Sequence, residues 1–474
     1  MKLEGNELLS FIKLYKLFLD RNLENKMSEF VRYKLDGQNV LINYRLSKSF
    51  NLTSLCKTTF NYIERSFTSL AKTENFYELE FTEVLKILKS PKLLITSEIE
   101  VYKSADRWIA YKKNRERSKF AKPLLLTVRF PLLSDYTLKY LLDKSSSFSE
   151  IDACIEILKE ISKSKDIFFR NMPSSYYTSR YCNQEYFDIL VCGGREWSGK
   201  AVGNVCQFNV TDLNANAFPS MAEERYHSKA VCVNQEVYIF GGYDCQPIMS
   251  VEKFSPSTNT WIKVADMFDD REFFCACAFM DNIFIIGGGK HNREGYALLE
   301  VTLNEFCLHF LTKDCEWNEV AGMNQSRKAA ECAVFEEQII VCGGSDANNV
   351  QLDSVESYDV LANTWSPMPS MVAARSFHSL VVVRNKLFVI GEGLDACEVF
   401  DKSSNKFIAL KFPKWIGFNN ALSVGNKIVI IQNESDVVDC YDVDKNEWSE
   451  ESCNVTNYLE NFACVKTSRY QYFW

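Results

Sequence analysis

Ile239-Phe-Gly-Gly242 closes a short apolar run, and the same ending returns at Val191-Cys-Gly-Gly194, Ile285-Ile-Gly-Gly288 and Val341-Cys-Gly-Gly344. A degenerate copy, Val389-Ile-Gly-Glu-Gly393, and one without glycines, Val429-Ile-Ile-Gln-Asn433, extend the series at intervals of 41 to 56 residues. A period in this range, built on short β-type runs, is the signature of a propeller. Each unit then carries an aromatic residue with Trp or Phe seven positions on: Phe254 and Trp261, Phe310 and Trp317, Tyr358 and Trp365, Phe400 and Phe407, Tyr441 and Trp448. The first unit has Phe208 but Ala215, with Phe218 as a candidate substitute. Six strand runs and six aromatic positions predict six blades. The paired glycines (Gly193, Gly194, Gly241, Gly242, Gly287, Gly288, Gly343, Gly344) and the tryptophans (Trp261, Trp317, Trp365, Trp448) read as architecture. Glycine allows tight bends and close backbone approach, and large rings fill the wedge between sheets.

Order along the chain also predicts how the ring closes. The first run, Phe187 to Cys192, already occupies the second-strand position of a blade. Its inner partner is expected from the far end, at Asn461-Phe-Ala-Cys-Val-Lys466. Closure of this kind removes an exposed sheet edge. The propeller is assigned to residues 185–474.

Residues 37–163 have helical periodicity instead. Cys56, Phe60, Ile63 and Phe67 recur at helical spacing, with Asn51, Thr53 or Ser54 as N-cap. Ser97-Glu-Ile-Glu100 has the capping-box pattern ahead of Val101, Ala105, Trp108 and Ile109. A last helix is expected over Glu150 to Ile161, with Ile151, Ile155 and Leu158 in phase. Polar residues 164–184 read as a linker.

Charge separates the same two parts. Residues 1–180 hold 31 Lys+Arg against 22 Asp+Glu, and the remainder of the totals, 54 and 62, leaves 23 against 40. A propeller at −17 is a poor binder of nucleic acid, because phosphate neutralisation supplies most of that affinity. The 17 cysteines are odd in number, scattered and without any C-x-x-C pair, and many, such as Cys192 and Cys342, lie in apolar runs where they read as buried hydrophobes in a cytosolic protein. No run of 18 apolar residues and no signal-peptide core occurs, which predicts no membrane span and cytoplasmic residence. Asn51, Asn209, Asn324, Asn433 and Asn454 are then chance glycosylation matches.

The repeats resemble those of the kelch-like family, whose members join a BTB domain, a BACK domain and a kelch propeller. Asn39-Val-Leu-Ile-Asn-Tyr-Arg-Leu46, Tyr62-Ile-Glu-Arg-Ser-Phe67 and Val128-Arg-Phe-Pro-Leu-Leu-Ser134 resemble a BACK domain. The resemblance implies an all-α BACK-like domain followed by an all-β six-bladed propeller. Family members commonly act as substrate receptors of cullin ubiquitin ligases, and others bind actin or scaffold the cytoskeleton. Residues 1–36 resemble only the last helices of a BTB domain, which implies a truncated product or weak cullin recruitment.

In this family the loops joining the outermost strand of one blade to the innermost strand of the next carry substrate contacts. Here they hold Arg225, Arg271, Arg327 and Arg375 at one repeat position, with Tyr226, Phe273, Phe274 and Phe377 beside them. Two readings stay open. The arginines face a partner, favouring an acidic peptide, or each pairs with an acidic residue or carbonyl of its own blade. Turns after the glycines, with Tyr243, Asp244, Lys290, His291, Ser345 and Asp346, are further candidates for the same face.

Catalysis is not expected. His227, His291, His309 and His378 show no metal-ligand spacing, and His227 and His378 read as equivalent repeat positions with a structural duty. Some kelch-like propellers are copper oxidases, but no convergent His, Tyr and Cys set is present. Gly287-Gly-Gly-Lys-His291 fails the phosphate-loop spacing, and no Gly-x-Ser-x-Gly elbow occurs. No cofactor or metal is expected.

Overall fold

In the computed structural model of the chain, the described residues are 35, 37, 39–93, 95, 98–113, 115–133, 138, 141, 146–163, 180, 187–210, 213–233, 236–255, 258–279, 282–291, 301–303, 307–312, 315–391, 396–411, 419–433, 437–452 and 459–468. Two units are separated between positions 182 and 183. The expected BTB-like remnant at 1–36 lies outside the described residues, apart from Leu35.

The first unit is helical. Helix Val40–Ser49 buries Val40, Leu41 and Tyr44. Helix Thr53–Arg65 buries Leu55, Thr59 and Ile63, a stripe one position off the expected one, so that Cys56 and Phe60 are half-buried. The chain breaks at Ser66, and Phe67, fully buried, opens the separate turn Phe67–Leu70. The expected caps are also displaced. Leu52 is the N-cap residue, while Asn51 takes a left-handed φ of 55° and ends the preceding helix, a role asparagine tolerates. Helix Glu98–Ala110 buries Val101, Ala105, Trp108 and Ile109 as expected, and the Trp108 indole donates to the Leu79 carbonyl at 3.0 Å. Ser97 lies outside the described residues. The last helix, Asp152–Lys163, follows a 3₁₀ turn over Phe148–Glu150 and buries Cys154, Ile157, Leu158 and Ile161. Ile151 and Ile155 are therefore only half-buried.

Arg180, inside the expected linker, has a side chain only 1% exposed. It donates to both Glu98 carboxylate oxygens at 2.6 and 3.0 Å and to the carbonyls of Leu88, Ser90 and Thr127 at 2.7 to 2.9 Å. One buried guanidinium thus ties together segments of the helical unit that are remote in sequence.

The second unit is a ring of six four-stranded antiparallel blades. From innermost to outermost strand, blade 1 is Ala463–Ser468, Phe187–Cys192, Val205–Asn209 and Asn214–Phe218. Blade 2 is Lys229–Val233, Glu236–Phe240, Val251–Ser255 and Thr260–Lys263. Blade 3 is Cys275–Phe279, Asn282–Ile286, Cys307–Leu311 and Glu316–Val320. Blade 4 is Glu331–Phe335, Gln338–Cys342, Val355–Asp359 and Thr364–Met368. Blade 5 is Ser379–Val383, Lys386–Ile390, Ala396–Asp401 and Lys406–Lys411, and blade 6 is Asn419–Val424, Lys427–Gln432, Val437–Asp442 and Glu447–Ser452. The six first strands neighbour one another in a closed circle. Ring closure follows the expected route: the C-terminal strand pairs with the first, Ala463 opposite Cys192 and Ser468 opposite Phe187.

The seven-residue spacing has a simple geometric meaning. It places the two aromatics directly opposite each other across the outer hairpin, as for Phe254 with Trp261, Tyr358 with Trp365 and Tyr441 with Trp448. Centroids of these ring pairs lie 4.9 to 5.5 Å apart. Phe208 does oppose Ala215, and Phe218 packs at 4.6 Å on Phe254 of the next blade. The tryptophans also reach backward across the wedge, with Trp261, Trp317 and Trp365 donating to the carbonyls of Pro219, Ala265 and Ala321 in the preceding blade's exit loop. Each apolar cluster accordingly draws on two adjacent blades, as where Phe240 of blade 2 meets Phe310 and Trp317 of blade 3.

The glycine pairs hold positive φ, and at Gly242, Gly288 and Gly344 a Cβ would stand within 2.7 Å of a backbone carbonyl oxygen. A Cβ on Gly344, at φ 90°, would stand 2.6 Å from the Lys328 carbonyl oxygen. Gly344→Ala is therefore expected to destabilise the propeller by about 2 kcal/mol or more, through left-handed strain plus the clash. Urea denaturation followed by tryptophan fluorescence measures this, and an unchanged midpoint would contradict the close approach.

Candidate partner-binding face

Four loops enter blades 2 to 5 with the pattern Met-x-x-x-Arg: Met221 to Arg225, Met267 to Arg271, Met323 to Arg327 and Met371 to Arg375. The methionines are buried under the glycine turns. The arginines follow them inward and are 0 to 1% exposed. In each case the guanidinium donates to the carbonyl of the glycine sixteen residues on: Arg225 to Gly241 at 2.9 Å, Arg271 to Gly287 at 3.3 Å, Arg327 to Gly343 at 2.8 Å and Arg375 to Gly391 at 3.0 Å. Its counter-charge comes from the third strand of the same blade, Glu252 at 2.8 Å, Glu356 at 2.8 Å and Glu398 at 2.5 Å. Blade 3 has Leu308 in the corresponding place, opposite Ile285, and there Arg271 takes both oxygens of Asp269 in its own loop.

The glutamates do a second task. Glu252 accepts from the backbone N–H groups of Ala222 and Glu223, Glu356 from Asn324 and Gln325, and Glu398 from Val372 and Ala373. The arginine backbone works outward as well, since the carbonyls of Arg225, Arg327 and Arg375 accept from the second-glycine N–H of the preceding blade, Gly194, Gly288 and Gly344. Each clamp thus fixes its own loop and joins two blades.

The structure therefore removes the four arginines from the open face: they fill the pairing reading left open above. Burying a guanidinium is costly unless a carboxylate and carbonyls meet it, and these loops supply both. The expectation of an acidic ligand rested on those charges and loses its basis. Phe274 is buried too, at 1% exposure, against the Gly241 turn.

Two residues beyond each arginine the chain takes a left-handed step, at His227, Phe273, Ala329 and Phe377, with φ between 51° and 56°. Asn461 does the same in blade 1. Backbone bonds link these residues in a belt around the channel mouth: His227 to the Asn461 carbonyl, Ala329 to Phe273 and Phe377 to Ala329. The equivalent of His227 is thus Phe377 and not His378, which lies one residue further on, in the buried wedge against Gly343. A cavity of about 110 Å³ opens inside the belt, and Lys229 of blade 2 and Glu331 of blade 4, paired at 2.6 Å across the intervening blade, line it.

Short bridges pair the turns after the glycines with the same loops, Tyr226 with Tyr243 and Lys328 with Ser345, so both sets share one face as expected. Lys290 and His291 lie in a strand whose side chains fall outside the described set. Large apolar side chains are exposed in these loops: Trp197 at 81%, Phe268, Val350, Val372 and Phe377. Sequence reasoning missed Trp197, which tops the turn Glu196-Trp-Ser-Gly-Lys200, closed by Gly199 N–H to Glu196 and Glu196 N–H to Lys200. It also missed the clamp glutamates, whose signal is an acid two residues before the third-strand aromatic: Glu252 and Phe254, Glu356 and Tyr358, Glu398 and Phe400.

Two histidines are held neutral. Burial, with the positive charges of Arg375, Lys229 and Arg327 adding to it, pushes His378 down to about 3. Burial with Arg195 and Lys229 pushes His227 down to about 4. The unfolded chain takes up these protons near 6.5, so the stability they contribute is complete above that pH and drains away as pH falls toward 4 and then 3.

Glu356→Ala, which strands the Arg327 guanidinium, is expected to cost about 3–5 kcal/mol, whereas replacing both partners with apolar residues of similar size costs much less. A double-mutant cycle in urea checks this, and equal losses for the single and double changes would refute the clamp. The urea midpoint should also fall between pH 7 and 4.5, and His378→Gln should flatten that slope. An unaltered slope assigns the acid sensitivity elsewhere.

Comparison with known proteins fits this architecture. The family model described as KLHDC2/KLHL20/DRC7 Kelch-repeats domain matches residues 181–392, and that described as BTB And C-terminal Kelch (BACK) matches residues 40–143. Kelch-like protein 7 of Rattus norvegicus is 23% identical over 410 residues, 85% of this chain and 68% of the relative. The Homo sapiens protein of that name is 23% identical over 364 residues, 77% of this chain and 60% of the relative. Kelch-like protein 26 of Danio rerio is 21% identical over 467 residues, 92% of this chain and 74% of the relative. A helical BACK region followed by a six-bladed ring with these repeats places the chain in the kelch-like family.

Proposed function

We propose that this chain is a substrate-recognition adaptor of a cullin-based RING ubiquitin ligase of the cullin-three type, acting in the cytoplasm. It would capture target proteins on the propeller face that bears Trp197 and Phe377 and so promote their ubiquitination. The observation that carries the reading is the gathering of Trp197, Phe268, Val350, Val372 and Phe377, all exposed, on loops of one face. Phe268, Val372 and Phe377 sit on loops fixed by the internal clamps, and Trp197 and Val350 on hydrogen-bonded turns beside them; exposed aromatics so positioned are the usual anchors of protein interfaces. Membership of the kelch-like family and the BACK match support the cullin part. A binding role without catalysis is consistent with side chains that the propeller uses to hold its own loops. No helix among the described residues is long and apolar enough to cross a membrane.

Affinity purification of the tagged full chain tests both halves of this reading. Cullin at near-equal stoichiometry is expected, and the double variant Trp197→Ala, Phe377→Ala should retain cullin while losing the bound targets. Co-sedimentation with filamentous actin and no cullin would replace the ligase reading with a cytoskeletal one.

A further inference from the structure

Five rings make a continuous track over the channel mouth. Tyr243 meets Tyr226 at a centroid distance of 5.6 Å, Tyr226 meets His227 at 5.0 Å, His227 meets Phe273 at 4.8 Å and Phe273 meets Phe377 at 5.6 Å. These rings come from the loops of blades 2, 3 and 5, so the track crosses the opening rather than following one sheet. One guanidinium already uses it: the Arg195 side chain lies over the Tyr226 ring at 5.6 Å. Phe377, at the other end, is 40% exposed, and Phe273 is half-buried.

The charge around the track is mainly negative. The clamp arginines are neutralised by Glu252, Glu356, Glu398 and Asp269. Lys229 is held by Glu331, and Lys200 by Glu224. Arg195 is paired with Glu460 at 3.9 Å, and among the other described side chains of these loops Asp244, Asp270 and Asp346 stand beside Lys328. Beneath them lies a propeller that is strongly acidic by sequence. The ring faces are electron-rich, and they attract a guanidinium or ammonium more strongly where the surrounding field is negative. A carboxylate placed there would meet only Arg195, already paired with Glu460, in an unfavourable field.

We infer that the mouth of the propeller recognises an arginine-bearing segment of a partner protein, whose guanidinium stacks on Phe273 and Phe377 as Arg195 stacks on Tyr226. This rests on the reading of the same face as the capture surface and specifies the charge of what it captures. Backbone of the segment would run over the belt of left-handed residues, and Trp197 and Val372 would cover its apolar flanks.

The test uses the full chain and three fluorescein-labelled nonapeptides in a glycine–serine background, carrying three arginines, three citrullines or three glutamates. Citrulline keeps the planar shape and near-equal size of arginine without its charge, with a carbonyl oxygen in place of one donor nitrogen. Fluorescence anisotropy is expected to show the arginine peptide binding about tenfold more tightly than the citrulline one, with the glutamate peptide weakest. Phe377→Leu, which keeps an apolar side chain but removes the ring, should abolish most of that preference, and so separates stacking from general attraction to an acidic surface. Equal binding of arginine and citrulline peptides, stronger binding of the glutamate peptide, or an undiminished preference in Phe377→Leu would each overturn the inference. Target capture by the wild-type face, measured in parallel, tests the underlying reading on its own. Capture without arginine preference sinks the inference alone, and arginine preference without capture sinks the adaptor reading alone.

Discussion

The open face of this propeller stands on a buried charge pair. An arginine and a glutamate, brought from a loop and a strand of the same blade, meet out of water in three of the six blades, and a fourth blade substitutes a loop aspartate. Such a pair gains little over an apolar replacement, yet it is intolerant of losing one member. Its value here is directional. The carboxylate holds two loop amides, the guanidinium holds a glycine carbonyl, and the arginine backbone reaches the neighbouring blade. With the loop set this way, the next two residues emerge at the rim in a fixed left-handed step, and the partner-facing rings follow from that.

Inter-blade packing is the second half of the same design. Rings from adjacent sheets interlock, and the N–H groups of Trp261, Trp317 and Trp365 each reach a carbonyl one blade back. Packing and polar bonds therefore bind the same neighbours, so the wedge resists both sliding and splaying. Glycine turns at the strand ends let the clamp loops approach within van der Waals distance, which explains why aromatics and glycines recur together in the chain.

Much of this was legible in the residues. The blade count, the opposed aromatics and closure by the last strand all follow from spacing, because a seven-residue interval across a tight hairpin and an unpaired first strand leave few topologies. The arginines were identified at the correct repeat position, but whether they face a partner or their own blade was not decided by the sequence. The glutamate partners of Arg225, Arg327 and Arg375 lie 23 to 29 residues away on another strand, and periodicity does not report whether a side chain turns inward. The one-residue error that equated His227 with His378 has the same origin, since a left-handed step shifts which side chain reaches the rim. In the helical unit the errors were of phase: Leu55 and Thr59 face the core where Cys56 and Phe60 were expected, because a break at Ser66 frees the turn that follows. Trp197 had no repeat partner to mark it.

Closure by the final strand carries a consequence for how the molecule is made. Residues 463–468 pair with residues 187–192, so the ring stays open at the ribosome until residue 468 has emerged, about 280 residues after its first strand. Throughout elongation the first blade waits with an unpaired inner edge, a template for wrong partners as much as for the right one. Messages that end early would yield a protein with five complete blades and one adhesive flank, more prone to aggregate than to capture anything selectively.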